Sequence, residues 1–425
     1  MIYTLHHAEF PLFNPSEIIM DDEIEIPLYF ICPISLQIMR DPVTATTGIT
    51  YDRQSIEYWL LTAKDAACPV TKQPLPRDSD LTPNHTLRRL IQAWCMENAN
   101  RGIDRIPTPK PLLSISHVLK LIRDLKFPHL YINSLKMMDV LANESDKNRN
   151  CMVDAGAAKA MVLLVIKCHK EGRTTGLEEA LRILYLTWTP MPENKQLVKD
   201  NSEFIESILW VLRLELDERV AVKTLAMQVL QEITEVASSS LLERLKFDFF
   251  KQSVNLLREN ISQQATKSVL KVLIEVCPWG RNRMKIVEAG AVFALIELEL
   301  TDPGQNMTEL IICLLAQLCS CADGRAQLLK HAGGIALLTK RTLRVSPATD
   351  DQTIQIFSLV AKFSATQDVL LEMLRVGAVA KLCMVVQADS AAYLKKKARE
   401  ILRLHSNAWN NSPCIAVYLL TRDPR

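Results

Sequence analysis

The chain has 425 residues, of which 48% are hydrophobic and 23% charged, and a formal net charge of +2. That length exceeds one compact domain and requires several domains or an extended array, while the near-neutral charge argues against a nucleic-acid or membrane-surface electrostatic footprint. The apolar run Met161–Ile166 has six residues, against the roughly 20 that a membrane span needs, and the N-terminus lacks the basic segment and apolar core of a secretory signal.

In chain order, residues 1–23 have no strong periodicity and read as a disordered tail, with MDDEIEIP from Met20 resembling a natural start. Residues 24–100 read as one compact unit. Within it, Cys32-Pro33-Ile34-Ser35 and Cys68-Pro69-Val70-Thr71 each look like a C-x-x-C zinc knuckle whose second thiol has become a hydroxyl. The remaining candidate ligands are His85 and Cys95, too few for the cross-braced zinc pair of a RING domain. No metal is therefore expected, and Cys95 is read as a packed thiol in a helix over Leu87–Met96. Asp41-Pro42 opens a turn, Val43–Thr47 is β-branched and strand-like, and Gly48 supplies the hairpin turn. Asp52 is placed to cap a helix whose apolar face is Ile56, Trp59 and Leu60. Pro83-Asn84 starts a final helix with Leu87, Leu90, Ile91 and Trp94 facing one way. The loop spacing is similar to that of a RING fold in which hydrogen bonds replace the metal, with Ser35, Asp41, Thr71 and Asn84 as the short donors and acceptors.

Ile106-Pro107-Thr108-Pro109-Lys110-Pro111 blocks a helix and reads as an extended connector over residues 101–111. From residue 112 to 425 the chain repeats. NRNCMVDAGAAKAMVLLV from Asn148, NRMKIVEAGAVFALIEL from Asn282, GRAQLLKHAGGIALLTK from Gly324 and QDVLLEMLRVGAVAKLCMVV from Gln367 align on Gly156, Gly290, Gly333 and Gly377. The last three glycines are 43 and 44 residues apart, and Asn201 stands 45 after Gly156 in a degenerate copy. Another copy is blurred around Leu245–Leu257. A period of about 40–47 residues is that of a helical solenoid. A short helix, a turn at glycine or asparagine in a left-handed conformation, a second helix and a longer third helix describe the armadillo repeat. The third helices appear as apolar runs at Met307–Cys319 and Thr353–Phe363, and about seven repeats fit.

The motifs CPISLQIMRDPV, GITYDRQSIEYWL, CPVTK and LTPNHTLRRLIQAW, in order from Leu28 to Trp94, resemble a U-box. A U-box followed by armadillo repeats resembles the plant U-box E3 ubiquitin ligases, and LTPNHTLRRLIQAW through RIPTPKP is especially similar to the subgroup linked to immune and drought-stress signalling. The resemblance implies a mainly α chain, a small α+β zinc-free unit before an α-solenoid. It also implies RING-type transfer with no covalent ubiquitin–enzyme intermediate: the unit binds a ubiquitin-charged conjugating enzyme (E2) and positions the thioester. Ile34, Trp59 and Pro69 are then the E2 contact patch, the competing reading making all three core. Cys32 and Cys68 are structural rather than nucleophilic, with Ser35, Asp41, Thr71 and Asn84 beside them. Lys72 is either a cation bridging E2 and ubiquitin or a solvated surface lysine.

The solenoid groove is expected to hold substrates or regulators through Tyr185, Glu232, Glu275, Gln317 and Lys362, one per repeat, with a negative middle. None of the five is asparagine, unlike the ladder of nuclear import receptors. The cluster Lys395–Arg399 reads as a solvated helix face. Eleven cysteines without framework spacing suit reduced thiols in the cytoplasm. No cofactor and no nucleic-acid partner are expected, and a homo-oligomer is possible. Two other readings stay open, a binding scaffold with an inactive U-box and a zinc-dependent enzyme.

Overall fold

The computed structural model describes residues 26–63, 67–76, 79–99, 113–199, 201–214, 219–410, 412, 413 and 415. The tail read over 1–23 and the connector over 101–111 lie outside them. The chain divides into two compact units, Met1–Pro111 and Leu112–Arg425.

In the first unit a hairpin joins β1 (Pro42–Thr44) to β2 (Thr50–Asp52), and β3 (Thr82–Pro83) lies on the other side of β1, all antiparallel. The hairpin turns at Gly48, whose φ of 81° is open to glycine without a Cβ clash. Helices α1 (Arg53–Thr62) and α2 (His85–Glu97) follow their strands. Asn84 ties α2 to the sheet: its side chain accepts from Leu87 N–H at 3.0 Å, and its own N–H donates to Pro42 O at 2.8 Å. The core holds Phe30, Met39, Val43, Tyr51, Ile56 and Ile91.

Two local expectations need correction. Asp52 precedes α1 without capping it; its carboxylate instead accepts from Arg40 and Asp41 N–H at 2.8 and 2.9 Å. The helix N-terminus is relieved by the backbone, Arg53 N–H donating to Asp41 O at 2.9 Å. Leu90 does not join the inner face of α2 but is exposed, while Ile91 and Cys95 are buried, one turn apart.

The second unit is a solenoid. It opens on a pair, α3 (Ile115–Asp124) and α4 (Pro128–Glu144). Three triplets follow: α5 (Asp146–Asp154), α6 (Ala157–Glu171), α7 (Leu177–Thr187); α8 (Pro192–Val198), α9 (Ser202–Arg213), α10 (Arg219–Thr234); α11 (Ser239–Glu243), α12 (Phe247–Glu259), α13 (Gln263–Val276). Then come α14 (Asn282–Glu288), α15 (Ala291–Leu300), α16 (Gln305–Leu318); α17 (Ala322–Lys330), α18 (Gly334–Arg341), α19 (Pro347–Phe363); α20 (Gln367–Arg375), α21 (Ala378–Gln387), α22 (Ala392–Leu404); and the short α23 (Ser406–Trp409). Among the described residues the repeats thus resolve into six full triplets behind one incomplete pair. The third helices α4, α7, α10, α13, α16, α19 and α22 each pack on the next, forming one continuous wall. No described helix is long and apolar enough to cross a membrane.

Gly156, Gly290 and Gly377 turn the chain with φ of 76°, 83° and 80°. Gly333 does not, with φ −91°. There the chain turns over His331, whose Nδ1 accepts from Gly333 N–H at 3.1 Å. The glycine that matters is its neighbour Gly334, where a Cβ would lie 2.2 Å from Leu328 O. Asn201 is not left-handed either. It has φ −87° and caps α9, its side chain accepting from Phe204 N–H at 3.0 Å.

Successive repeats are bound by more than apolar packing. Asn282 donates to Leu242 O at 2.8 Å and to Val276 O at 3.0 Å. Lys285 donates to Leu245 O at 2.6 Å, Gln327 to Val287 O at 2.9 Å and Lys381 to Thr342 O at 3.0 Å. Each of these last three, and the first Asn282 bond, crosses 39 or 40 residues. Lys285 and Lys381 reach carbonyls just beyond helix ends, while Asn282 and Gln327 add a second donor to carbonyls that already accept a turn N–H.

Asn282→Ala removes two such donors from a fully buried site. Because Asn282 Oδ1 itself has no partner, the net destabilisation is expected to be about 2 kcal/mol. It should be read as a lower urea midpoint at unchanged slope.

Candidate functional site

The two cysteine loops have the same backbone. In the first, Cys32 N–H donates to Gln37 O at 2.8 Å and Leu36 N–H to Cys32 O at 2.9 Å. In the second, Cys68 N–H donates to Gln73 O at 2.8 Å and Lys72 N–H to Cys68 O at 3.0 Å. Leu36 and Lys72 share a left-handed conformation, φ 56° and 61°, which costs a side-chain-bearing residue roughly 1–2 kcal/mol. Isolated bridges Ile31–Ile38 and Ala67–Pro74 close the two loops. Position by position, Ile34 matches Val70, Pro33 matches Pro69, and Ser35 matches Thr71.

Each loop wraps a fully buried sulfur. Cys68 Sγ lies 2.9 Å from the Tyr51 hydroxyl and accepts from the Thr47 hydroxyl and Thr71 N–H, each at 3.4 Å. Burial pushes the Cys68 thiol up, but donors from Thr47, Thr71 and Tyr51 together bring it down to about 6. Tyr51 moves the other way, raised by burial and by the Cys68 sulfur, so the phenol is the donor. Cys32 is alike: burial raises it, yet the N–H groups of Ser35, Asp52 and Ile34 and the Ser35 hydroxyl leave it below the usual thiol value. These are the bonds that stand where a knuckle would hold its ion. Among the described residues no three metal-ligating side chains converge.

Asp41 braces the arrangement. Its carboxylate accepts from Arg53 Nε on α1 and from Arg88 Nη1 on α2, both at 2.7 Å, so one side chain joins both helices to the start of β1.

Trp59 is half-buried on α1, and its indole N–H donates to Ala67 O at 3.1 Å, at the entrance of the second loop. The two readings of Trp59 thus meet in one side chain, with an inner edge on the core and an outer edge in solvent. Ile34 is half-buried against the same core, and Pro69 is half-buried in the second loop. Lys72 is exposed. Missed at the sequence level are Leu36, 77% exposed, and Val70, 49% exposed, at the loop tips. The signal was there: C-P-x-[ST]-x-Q occurs twice, so Val70 is the counterpart of Ile34 and Leu36 of Lys72.

In the solenoid, Tyr185, Glu232, Glu275, Gln317 and Lys362 fall one each on α7, α10, α13, α16 and α19. Tyr185, Glu275 and Lys362 are exposed, while Glu232 and Gln317 are half-buried. Burial and Glu235 raise the Glu232 carboxyl against the opposing pull of Lys271, so the middle of the wall is mixed in charge rather than purely negative. Lys362 reaches Glu400 at 3.9 Å. Lys397, read as solvated, instead donates to Gln355 at 3.0 Å. A hollow of about 330 Å³ opens beside Asp139, Glu178, Glu179 and Arg182, unanticipated from sequence.

A family model for the U-box domain matches residues 26–100, and one for the plant U-box protein armadillo-repeat region matches residues 115–425. The chain belongs to the plant U-box/armadillo-repeat family. From Arabidopsis thaliana, E3 ubiquitin-protein ligase PUB24 is 42% identical over 95% of this chain and 97% of its own length. E3 ubiquitin-protein ligase PUB23 is 42% identical over 96% and 99%, and PUB22 38% identical over 93% and 98%. A solved chain from work on a phosphorylation switch controlling the interaction between cadherin and beta-catenin superposes with a TM-score of 0.56. At 11% identity, it covers 78% of this chain and 62% of its own, a likeness of fold alone.

The U-box sulfurs have a pH consequence. A thiol whose folded pKa is about 6, against about 8.5 unfolded, contributes stability that is fully present above the unfolded value and lost as pH falls through the folded one. U-box unfolding midpoints should therefore drop between pH 8.5 and 6, before carboxylates titrate, and Cys68→Ser should flatten that slope. A wild-type midpoint constant across this window would count against thiolate hydrogen bonding.

Proposed function

We infer that the chain is an E3 ubiquitin ligase, in which the U-box receives a ubiquitin-charged E2 and the solenoid holds the protein to be modified. The observation that carries this reading is the pair of matched loops around Trp59, fixed by internal hydrogen bonds and presenting half-buried apolar side chains outward. Such a surface suits docking rather than bond-making. No ubiquitin thioester forms on the ligase, because Cys32 and Cys68 are buried acceptors; transfer is speeded by holding the E2 thioester where a lysine can attack.

In this proposal Ile34, Trp59 and Pro69 contact the E2, and Leu36 and Val70 widen the patch. Lys72 stands beside it as the cation facing E2 and ubiquitin, a point charge on a flexible stem. The third-helix wall, with Tyr185, Glu232, Glu275, Gln317 and Lys362, takes the substrate or a regulator. The free thiols among the described cysteines favour a cytoplasmic setting. A role in plant immune or drought-stress signalling belongs to the same proposal, supported by family resemblance, and so does self-association.

Trp59→Ala should abolish E2-dependent autoubiquitination. Truncating an interfacial tryptophan commonly costs about 2–4 kcal/mol, roughly 30- to 900-fold in affinity. Ile34→Lys, which leaves the Ala67 hydrogen bond of Trp59 alone, should do the same while the protein still melts cooperatively. Full transfer by Ile34→Lys would place the E2 elsewhere, and no transfer by the wild-type chain would leave a scaffold.

For the wall, Glu232→Lys combined with Glu275→Lys should weaken a partner that presents a basic segment, with wild-type affinity falling as salt rises, and leave autoubiquitination intact. Unchanged pull-down by the double variant would remove this groove position from the reading.

A further inference from the structure

Among the described residues, no repeat stacks on the outer side of the first helix pair. Inside the array each third helix lies between two others, but α4 packs on α7 and on α3 and α5, with no earlier third helix among the described residues. Asp139 marks the covered side of α4, accepting from Arg182 of α7 at 2.8 Å. Met137 lies about 200° around the helix from it. On that far side Leu130, Met137 and Val140 are exposed by 36%, 49% and 61%, and Ile115 and Leu119 of α3 are exposed as well. Terminal repeats of a solenoid ordinarily carry a polar outer face; this one is apolar.

The charge around it is mostly positive. Lys120, Arg123, Lys126 and Lys136 are exposed on α3, α4 and the turn between them, and none forms an ion pair with another described residue. Of the acids on the pair, Asp139 is occupied by Arg182 and Glu144 accepts from Asn148 at 3.1 Å, and Asp124 stands on α3 next to Arg123. On α3, Arg123 and Lys120 follow Leu119 around the helix, so the basic row borders the apolar one. An apolar stripe edged by cations is complementary to an amphipathic helix edged by anions.

We propose that this α3–α4 face docks an amphipathic helix of a partner protein whose apolar stripe is flanked by acidic residues. It is a second recognition surface, apart from both the E2 patch and the groove positions on the later third helices.

The test uses the full chain and a designed helical peptide of about 18 residues with leucines at i, i+3, i+4 and i+7, flanked either by glutamates or by lysines, with binding followed by fluorescence anisotropy. The glutamate peptide should bind at least about tenfold more tightly than the lysine peptide and weaken as salt rises. Met137→Glu should lower its affinity by about tenfold or more. Lys120→Glu with Arg123→Glu should bring the two peptides level. Circular dichroism verifies that these exposed substitutions leave the helices intact. Equal binding of the two peptides, or binding indifferent to Met137→Glu, overturns the proposal. So does a dimer in sedimentation that Met137→Glu dissolves, which would give the face to a second copy. No ubiquitin is transferred in any arm, so failure here leaves the ligase reading untouched.

Discussion

Backbone polar groups that end up inside a protein must find partners there, and both units of this chain are organised around that requirement. In the U-box, two tight loops turn their N–H groups inward. A zinc knuckle would gather such groups around metal-bound thiolates; here single sulfurs gather them, helped by the hydroxyls of Thr47, Tyr51 and Ser35. In the solenoid the groups to be met are carbonyls at or near helix ends. Asn282, Lys285, Gln327 and Lys381 reach back one repeat to meet them. Sulfur as acceptor and long side chains as donors are opposite answers to the same demand.

Function follows from how firmly those demands are met. A ligase that works by positioning needs loops that do not move when an E2 arrives, since geometry is its whole contribution. The strain at Leu36 and Lys72 persists only because the surrounding hydrogen bonds over-determine both turns. The Asp41 carboxylate, shared between Arg53 and Arg88, holds the two helices together at the start of β1.

Much of the architecture was legible in the sequence because periodicity reports packing directly. The glycines near 156, 290 and 377 and the long apolar runs located the triplets. Single letters were less reliable, because one residue type serves several geometries. Gly333 occupies the aligned position but is not left-handed, the steric need having moved to Gly334. Asn201 caps a helix where a left-handed turn was expected, and Asp52 spends its carboxylate on the preceding loop instead of its own helix. The cation beside Glu232 was not legible because Lys271 lies on a neighbouring repeat, a proximity that only the stacking creates. Leu36 and Val70 were overlooked although the twofold C-P-x-[ST]-x-Q pattern contained them.

The staples between repeats also say something about how such a protein changes over evolutionary time. Each joins a side chain to a carbonyl about one period away, and among the described residues no such bond reaches beyond the adjacent repeat. Inserting or deleting a whole period therefore presents every donor at the new seam with an equivalent acceptor, whereas gaining or losing a few residues strands it. Lineages of this array are thereby channelled toward lengthening and shortening in units of a complete triplet, with the wall of third helices growing or shrinking like a tape measure while its local chemistry stays in step.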